Sequence, residues 1–354
     1  MGLMKTNFFL CVTEYHVLLS ILLAKEEYND GTFVNRIVLC NEGRFNELNR
    51  YDLSVDGCIE YLLFDEGYVK SSSFIDFVQN NCTGSLFIFN LNNPQFLYIA
   101  YKLNKLRQAD SSFVQEGLAT YNRQSYTIRE RLSRMKTSFS ILYKAGIKDF
   151  GFYNLVYGYK GRFGGVFDYY EKAISVDYIE RLWVSFPQYV LFGTNKIKKL
   201  PDFSPVSIES SNLFFKYKQS ISLNNNDIVY IDQRIDGSFE FISELSESFP
   251  NNRIYIKLHP RTKQDWAERY ERIPNVRVLS FLRGIPVELF LQNLSNAIVI
   301  TPFSSALLIN NPNCRFYYTY KWHMKHGYNI ENDSLFVPGK HICIIESIGD
   351  IELL

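Results

Sequence analysis

Four short motifs in the sequence combine residue types that can carry out group transfer. The first, Glu116-Gly117, follows residues 112–115, which look like a short β-strand. A carboxylate at a strand end lies where open parallel sheets bind their ligands. It can act as a general base on a hydroxyl, while the glycine lets the chain turn close to a substrate. An ordinary turn carboxylate is the alternative interpretation.

The second motif is a histidine at the end of another apolar run. His259-Pro260 follows residues 255–258. Proline restricts the residue before it to an extended conformation, so we expect His259 to project from the end of a strand. An imidazole in this position can donate a hydrogen bond or a proton to a leaving phosphate. The alternative is a turn histidine with no chemical role.

The third motif is a pair of serines, Ser304-Ser305, between the apolar run at residues 297–301 and a predicted helix. Hydroxyls and free backbone amides at a helix N-terminus can bind a phosphate without a metal ion. Either serine can instead cap the helix, because serine is a preferred cap residue. The pair therefore predicts a phosphate site or a helix cap.

The fourth motif lies between the second and the third. Pro286 suits the first turn of a helix, which places Glu288 near that turn. There the carboxylate either complements the helix dipole or accepts the hydroxyls of a ribose. The sequence contains no Asp-x-Asp motif and no Gly-rich phosphate loop, so we predict a site that works without a metal ion.

The elements that must position the first motif alternate between strands and helices. Apolar runs predict strands at residues 8–12, 36–41, 58–64, 85–91 and 112–115, and helical spacing predicts helices at 17–27, 71–80 and 95–106. Such an alternation favours a parallel sheet with right-handed crossovers.

The alternation stops in the middle of the chain and then resumes. Residues 121–225 include Gly-rich and Tyr-rich stretches without a regular pattern, whereas strands are predicted at 227–231, 253–258, 276–279 and 297–301 and a helix at 239–248. We therefore predict two domains, residues 1–225 with an irregular insertion at about 121–225, and residues 226–354. The predicted fold class is α/β, with a nucleotide-binding type of sheet in the second domain.

Composition restricts the classes of function. The formal net charge is only +1, so no overall field attracts nucleic acid. The six cysteines form no C-x-x-C pair, and we interpret them as buried thiols in a reducing compartment. The N-terminal apolar run is too short for a signal peptide, and no run reaches the roughly 18 residues of a membrane span. We expect a cytoplasmic protein.

A further segment, residues 123–148, carries four clustered cations among apolar residues: Arg129, Arg131, Arg134 and Lys136. This pattern predicts a basic amphipathic helix. Two interpretations stay open. One is a solvated helix face. The other is a peripheral contact with the anionic inner face of the cell membrane.

The four motifs, in this order and on these elements, resemble those of the bacterial sialyltransferases of the GT-B type, including the capsular polysialyltransferase-like and lipooligosaccharide sialyltransferase families. Those families share an acidic-Gly motif, a His-Pro motif and a paired Ser/Thr motif. Here the serine pair begins 45 positions after His259, and a Thr-x-Tyr-His turn at residues 13–16 also looks like the family's start. One departure is Gln115, which precedes Glu116 where many relatives have a second acid.

The resemblance implies a GT-B fold in which two Rossmann-like domains face a cleft. It implies an inverting transfer of sialic acid from CMP-sialic acid to a hydroxyl of a capsule or lipooligosaccharide glycan, with no metal or other cofactor. The implied roles are general base for Glu116, donor to the departing phosphate for His259 beside Pro260, phosphate binding for Ser304 and Ser305, and ribose binding for Glu288. By position, Gln233 is assigned to the donor, and Thr13 and His16 to the acceptor side or the cleft.

Two alternatives stay open at this point. A GT-B transferase could use another donor, such as CMP-Kdo or a UDP-sugar, because a phosphate site does not identify the sugar. A catalytically silent glycan-binding protein could keep the same fold and use the aromatic side chains, which make up 16% of the residues, as sugar-binding surfaces.

Overall fold

A computed structural model describes most of the chain. The described residues are 4–41, 57–90, 93–115, 117, 120–121, 127–157, 178–190, 195–202, 226–260, 262–282, 285–292, 294–309, 311–330 and 341–353. The chain divides into two compact units, Met1–Lys218 and Gln219–Leu354. The domain boundary predicted between residues 225 and 226 stays a prediction.

The described part of the first unit contains a seven-stranded parallel sheet. Its strands are β1 (Lys5–Cys11), β2 (Phe33–Asn41), β3 (Ile59–Asp65), β4 (Ser85–Ile88), β5 (Asp110–Val114), β6 (Arg181–Val184) and β7 (Ile197–Lys199). Their spatial order is β3-β2-β1-β4-β5-β6-β7. The order reverses between β1 and β4, which is where sheets of this type form a ligand crevice.

Helices of the first unit begin at residues whose side chains cap them. They are α1 (Glu14–Glu27), α2 (Glu66–Val69), α3 (Ser72–Asn81), α4 (Pro94–Lys105), α5 (Ile128–Lys144) and α6 (Phe150–Tyr157). Thr13 caps α1, Asn93 caps α4 ahead of its first-turn proline, and Thr127 forms a reciprocal capping box with Glu130 at the start of α5. These caps fix where the connections leave the sheet.

Two strands of this sheet come from the region predicted to be irregular. β6 and β7 extend the sheet beyond β5, with all pairs parallel. β6 has four residues and begins with Arg181, and β7 has three residues that end in Lys198 and Lys199. β7 is the edge strand, and a short strand with charged residues is typical of a sheet edge. β6 is paired on both sides, and its apolar run is only Leu182-Trp183-Val184, so neither strand was predicted from the sequence.

The described part of the second unit contains a six-stranded parallel sheet with the order β10-β9-β8-β11-β12-β13. Its strands are β8 (Asp227–Ile231), β9 (Ile254–Lys257), β10 (Val276–Val278), β11 (Ala297–Thr301), β12 (Cys314–Tyr318) and β13 (Ile342–Ile344). The helices are α7 (Ser238–Ser248), α8 (Gln264–Glu271), α9 (Val287–Gln292) and α10 (Tyr320–Lys325). The order reverses between β8 and β11.

The second core lies mainly where α7, α8 and α10 pack on this sheet. Tyr230 of β8, Phe241 of α7 and Trp322 of α10 are fully or almost fully buried, and Phe241 meets Trp322 edge to face at 5.0 Å. Large aromatic side chains supply most of the apolar area here, so the strand ends are held on a rigid layer.

The cysteines are free thiols, but not all of them are buried. Cys11, Cys40 and Cys82 are buried, Cys58 and Cys314 are half-buried, and Cys343 is exposed. The prediction of a buried thiol is therefore wrong for Cys343. It lies in the middle of β13, the edge strand, where alternate side chains point away from the core.

Candidate functional site

Residues of three predicted motifs of the second unit lie at the carboxyl-terminal edge of its sheet. His259 follows β9 by two residues, Gln233 follows β8 by two, and Ser304 follows β11 by three. Since β9, β8 and β11 are neighbours in the sheet, these three residues come from adjacent strand ends. This edge, at the reversal of strand order, is where parallel α/β sheets bind ligands.

His259 is half-buried and begins a closed turn. Its carbonyl oxygen accepts a hydrogen bond from the backbone N–H of Thr262 at 2.9 Å. Pro260 follows it and is exposed. The structure therefore places His259 at a strand end, as predicted from the apolar run and the proline, and its chemical role stays a prediction.

Asp232, the first residue after β8, is fully buried and points inwards. Its Oδ2 accepts a hydrogen bond from the hydroxyl of Thr262 at 2.7 Å, and its Oδ1 accepts from the hydroxyl of Tyr270 at 3.2 Å and from the N–H of Arg234 at 3.1 Å. The next residue, Gln233, is half-buried. The carboxylate of Asp232 in this polar loop therefore accepts hydrogen bonds from other residues of the protein.

The serine pair lies at a short 3₁₀-helix, Ser305–Leu308. The hydroxyl oxygen of Ser304 accepts the N–H of Ala306 at 3.2 Å, and the Ser304 carbonyl accepts the hydroxyl of Tyr318 at 2.5 Å. Ser304 thus caps the turn, which is the alternative that the sequence left open.

Glu288 lies in the first turn of α9 and is buried. Burial raises the pKa of Glu288 to about 7, although its own backbone N–H and the charge of Lys257 act in the opposite direction. Lys257 is the last residue of β9 and is itself buried. The carboxyl group therefore changes its charge near neutral pH, and donors to its oxygens would favour the ionised form.

In the first unit, Thr13 and His16 lie where β1 leads into α1. The hydroxyl of Thr13 accepts the N–H of His16 at 3.3 Å. The His16 ring is buried, stacks on Phe89 with ring centres 4.7 Å apart, and accepts the N–H of Val12 on Nδ1 at 3.3 Å. Phe89 directly follows β4, so His16 lies at the reversal of strand order.

Gln115, the first residue after β5, forms a four-bond junction between strand ends. Its Nε2 donates to the hydroxyls of Tyr15 at 2.8 Å and Ser185 at 2.9 Å. Its Oε1 accepts the N–H of Ser185 at 2.7 Å and the hydroxyl of Tyr121 at 2.5 Å. Ser185 directly follows β6, and Tyr15 lies in the first turn of α1. We call this set the Gln115 junction.

Glu116, the predicted base, lies outside the described residues. Gly117 is described and has φ +123°, which is a backbone conformation that favours glycine. The positive φ agrees with the expectation that a glycine turns the chain after β5. The role of Glu116 stays a prediction.

Neither buried side chain, Gln115 or Asp232, was identified from the sequence as an organising residue. A signal was available for both, because each is the first polar residue after an apolar strand and precedes a residue of interest, Glu116 or Gln233. Their hydrogen-bond partners are distant in sequence, so only the fold shows them.

Comparison with solved structures shows the fold. An alpha/beta-galactoside alpha-2,3-sialyltransferase from the luminous marine bacterium Photobacterium phosphoreum matches with a TM-score of 0.55 and 14% identity, over 99% of this chain and 100% of that chain. A sialyltransferase from Photobacterium damsela matches with a TM-score of 0.42 and 14% identity, over 89% and 74%. A UDP-GlcNAc 2-epimerase from Neisseria meningitidis matches with a TM-score of 0.42 and 12% identity, over 84% and 77%. No curated protein matches the chain.

The first of these matches and the two parallel sheets confirm the predicted fold class, α/β of the GT-B type. The resemblance to bacterial sialyltransferases is also confirmed at the level of sequence. The family model described as alpha-2,8-polysialyltransferase matches residues 64–314, which is more than half of the chain. The chain is therefore a sialic acid glycosyltransferase with a nucleotide-sugar donor and a glycan acceptor, and it belongs to the alpha-2,8-polysialyltransferase family.

Proposed function

We propose that the enzyme transfers sialic acid from CMP-sialic acid to a hydroxyl of a capsule or lipooligosaccharide glycan, with inversion and without a metal ion. The observation that carries this proposal is the edge of the second sheet, where His259, Gln233 and Ser304 follow three adjacent strands. A histidine, an amide and a serine at such an edge can bind a nucleotide phosphate through hydrogen bonds alone.

In this proposal the second unit binds the donor. Ser304 and Ser305 hold the phosphate, Gln233 lies beside them, and Glu288 accepts the ribose hydroxyls. Because burial raises the pKa of Glu288 to about 7, hydroxyl donors from the ribose would also help to keep it ionised at neutral pH. His259 donates a hydrogen bond or proton to the phosphate oxygen that leaves the sugar.

The acceptor is activated from the first unit. Glu116 takes the proton of the acceptor hydroxyl as its oxygen attacks the anomeric carbon of sialic acid. The bond from that carbon to the phosphate oxygen breaks on the opposite face, its electron pair leaves with CMP, and the configuration inverts. Thr13 and His16 are assigned to the acceptor side.

The family description supports a particular acceptor. An alpha-2,8-polysialyltransferase extends a chain of sialic acid, so a glycan that ends in sialic acid is the first acceptor to test. Polymerisation would then be seen as a ladder of products, and a single addition as one product.

A donor panel tests the proposal. Purified enzyme is incubated without metal with CMP-sialic acid, CMP-Kdo or a UDP-sugar and with a sialylated acceptor, and NMR follows the anomeric configuration of the product. We expect transfer only from CMP-sialic acid, with inversion. Transfer from CMP-Kdo or a UDP-sugar instead would contradict the donor assignment, and retention would contradict the mechanism.

We also propose that α5 holds this cytoplasmic enzyme at the anionic inner face of the membrane, near lipid-linked acceptors. Ile128, Leu132, Phe139 and Tyr143 are spaced along one face of the helix, and their exposed fractions are 78%, 50%, 38% and 78%. At about 100° per residue, the exposed cations Arg129 and Lys136 lie beside this stripe. No helix in the described ranges is long and apolar enough to cross a membrane.

Vesicle sedimentation tests this contact. We expect the enzyme to bind vesicles that contain phosphatidylglycerol and to bind neutral phosphatidylcholine vesicles weakly, because apolar insertion and charge attraction act together. The double variant Ile128→Ser/Tyr143→Ser should no longer bind these vesicles. It should still release CMP at the wild-type rate when the acceptor is water-soluble. Undiminished binding by the variant would contradict the assignment to α5.

A further inference from the structure

We propose that Asp232 is a positioning residue that fixes the orientation of His259 through Thr262. The inference rests on the proposed function, since it takes His259 as the group that contacts the leaving phosphate. It concerns a carboxylate that is fully buried inside the second unit.

Asp232 holds the chain on both sides of His259. Its backbone N–H donates to the carbonyl oxygen of Lys257 at 3.0 Å, two residues before the histidine. Its carboxylate accepts the hydroxyl of Thr262 at 2.7 Å, three residues after the histidine. The segment that carries His259 is therefore hydrogen-bonded to Asp232 at both of its ends.

The turn between these two attachments is short and closed. The N–H of Thr262 donates to the carbonyl oxygen of His259 at 2.9 Å, and Pro260 restricts the backbone of His259. Thr262 is almost fully buried, so water cannot replace its hydroxyl bond to Asp232. Loss of that bond would remove the side-chain contact between the end of this turn and Asp232 and leave the backbone contact at Lys257 in place.

The carboxylate is itself held in place. Its other oxygen accepts the hydroxyl of Tyr270 from α8 and the N–H of Arg234. Hydrogen bonds to a charged acceptor are stronger than those between neutral groups, and a buried carboxylate that lacked them would be costly. The sheet hydrogen bonds already join β8 to β9, so the bond to Thr262 adds a restraint on the turn beyond the strands.

The test is a pair of substitutions at Thr262 made in two backgrounds. Thr262→Val removes the hydroxyl and keeps the shape, whereas Thr262→Ser keeps the hydroxyl. We expect Thr262→Val to lower kcat for CMP release about tenfold or more with a smaller change in the donor KM, because slight misplacement of a reacting group costs rate. Thr262→Ser should restore most of kcat. In the His259→Ala background, Thr262→Val should have almost no further effect.

Ser246→Ala is the matched control for loss of a buried hydroxyl. Ser246 lies in α7 and is buried. Its hydroxyl has two acceptors in hydrogen-bond range, the Pro274 carbonyl oxygen at 2.8 Å and Asn275 Oδ1 at 2.6 Å. Asn275 precedes β10, so this cluster lies at the opposite edge of the sheet from His259. Ser246→Ala should lower the melting temperature about as much as Thr262→Val does, and it should leave kcat unchanged.

Three results would overturn the inference. Folded Thr262→Val with full kcat would show that the bond does not position His259. An equal loss from Thr262→Val in the wild-type and His259→Ala backgrounds would show a structural effect that is independent of the histidine. Full activity of His259→Ala alone would remove the proposed role of His259 and the inference with it, whereas the first two results leave that role intact.

Discussion

Gln115 in the first unit and Asp232 in the second occupy equivalent positions with different chemistry. Each is the first residue after a strand of a parallel sheet, each is buried, and each accepts a hydrogen bond from a tyrosine hydroxyl. The amide of Gln115 donates two bonds and accepts two, whereas the carboxylate of Asp232 accepts three from side chains and the following loop.

The strand end at Gln115 is held by a neutral side chain, and the strand end at Asp232 is held by a charged one. Gln115 satisfies its four partners without placing a charge next to Glu116, the following residue in the chain. A second carboxylate at that position would disfavour ionisation of the proposed base. Asp232 instead provides a strong, charged acceptor for Thr262.

Removing the Gln115 junction should have the largest effect on the free energy of unfolding. Gln115→Leu deletes all four hydrogen bonds and leaves the N–H of Ser185 without this acceptor at a half-buried strand end. We expect a loss of about 3 kcal/mol in the free energy of unfolding, since each buried polar group that loses its partner costs roughly 1–3 kcal/mol. Urea unfolding measures this, and a loss below about 1 kcal/mol would show that the junction is not organised as described.

The second unit should show a pH-dependent stability that depends on Glu288. Its pKa is raised from 4.5 to about 7, so the folded state keeps a proton that the unfolded state has released. The stabilising contribution is complete below pH 4.5 and declines as the pH rises to 7, by about 3 kcal/mol in total. Glu288→Gln should remove this decline, which unfolding curves of both proteins at several pH values would show. Parallel curves for the two would contradict it.

Replacing the charged acceptor should have a smaller effect. Asp232→Asn keeps the shape of the side chain but cannot accept all three bonds, because its amide nitrogen is a donor. We expect a loss of about 1–2 kcal/mol in the free energy of unfolding, and a fall in kcat that depends on His259. Gln115→Asn is the control for a change of side-chain shape at the Gln115 junction. Any fall in kcat that it causes should not depend on His259. The double variants with His259→Ala decide this.

Adding a charge to the neutral junction should change stability least. In Gln115→Glu the hydroxyls of Tyr15 and Ser185 can rotate to donate to the new carboxylate, so the junction can still form. The new charge should raise the pKa of Glu116, and the acid limb of the rate profile for transfer should shift to higher pH. An unchanged limb would show either that Glu116 is not the base or that the two carboxyl groups do not interact.

The central strands could be predicted from the sequence, because most of them are continuous apolar runs, whereas their order in the sheets could not. Residues 227–231 were predicted as a strand and form β8, and the predicted strand at 58–64 is within one residue of β3 at each end. β7 was not predicted, since a three-residue edge strand that ends in Lys198 and Lys199 has no such run. β6 was not predicted either, since its apolar run is only Leu182-Trp183-Val184.

The candidate site could be predicted only in part. A strand end followed by proline was enough to place His259, because both signals are local in sequence. The bond from Asp232 to Thr262 joins residues 30 positions apart, and that from Gln115 to Ser185 joins residues 70 apart. The sequence shows that such residues are polar, but their burial and partners follow from how the sheet brings strand ends together.

CMP release from CMP-sialic acid by the purified enzyme, without added metal and in the presence of a sialylated acceptor, is the decisive measurement. We expect release by the wild type and a loss of about 10²-fold or more in both Glu116→Gln and His259→Ala, as for removal of a general base or acid. No release by the folded wild type, or equal release by all three proteins, would contradict this expectation.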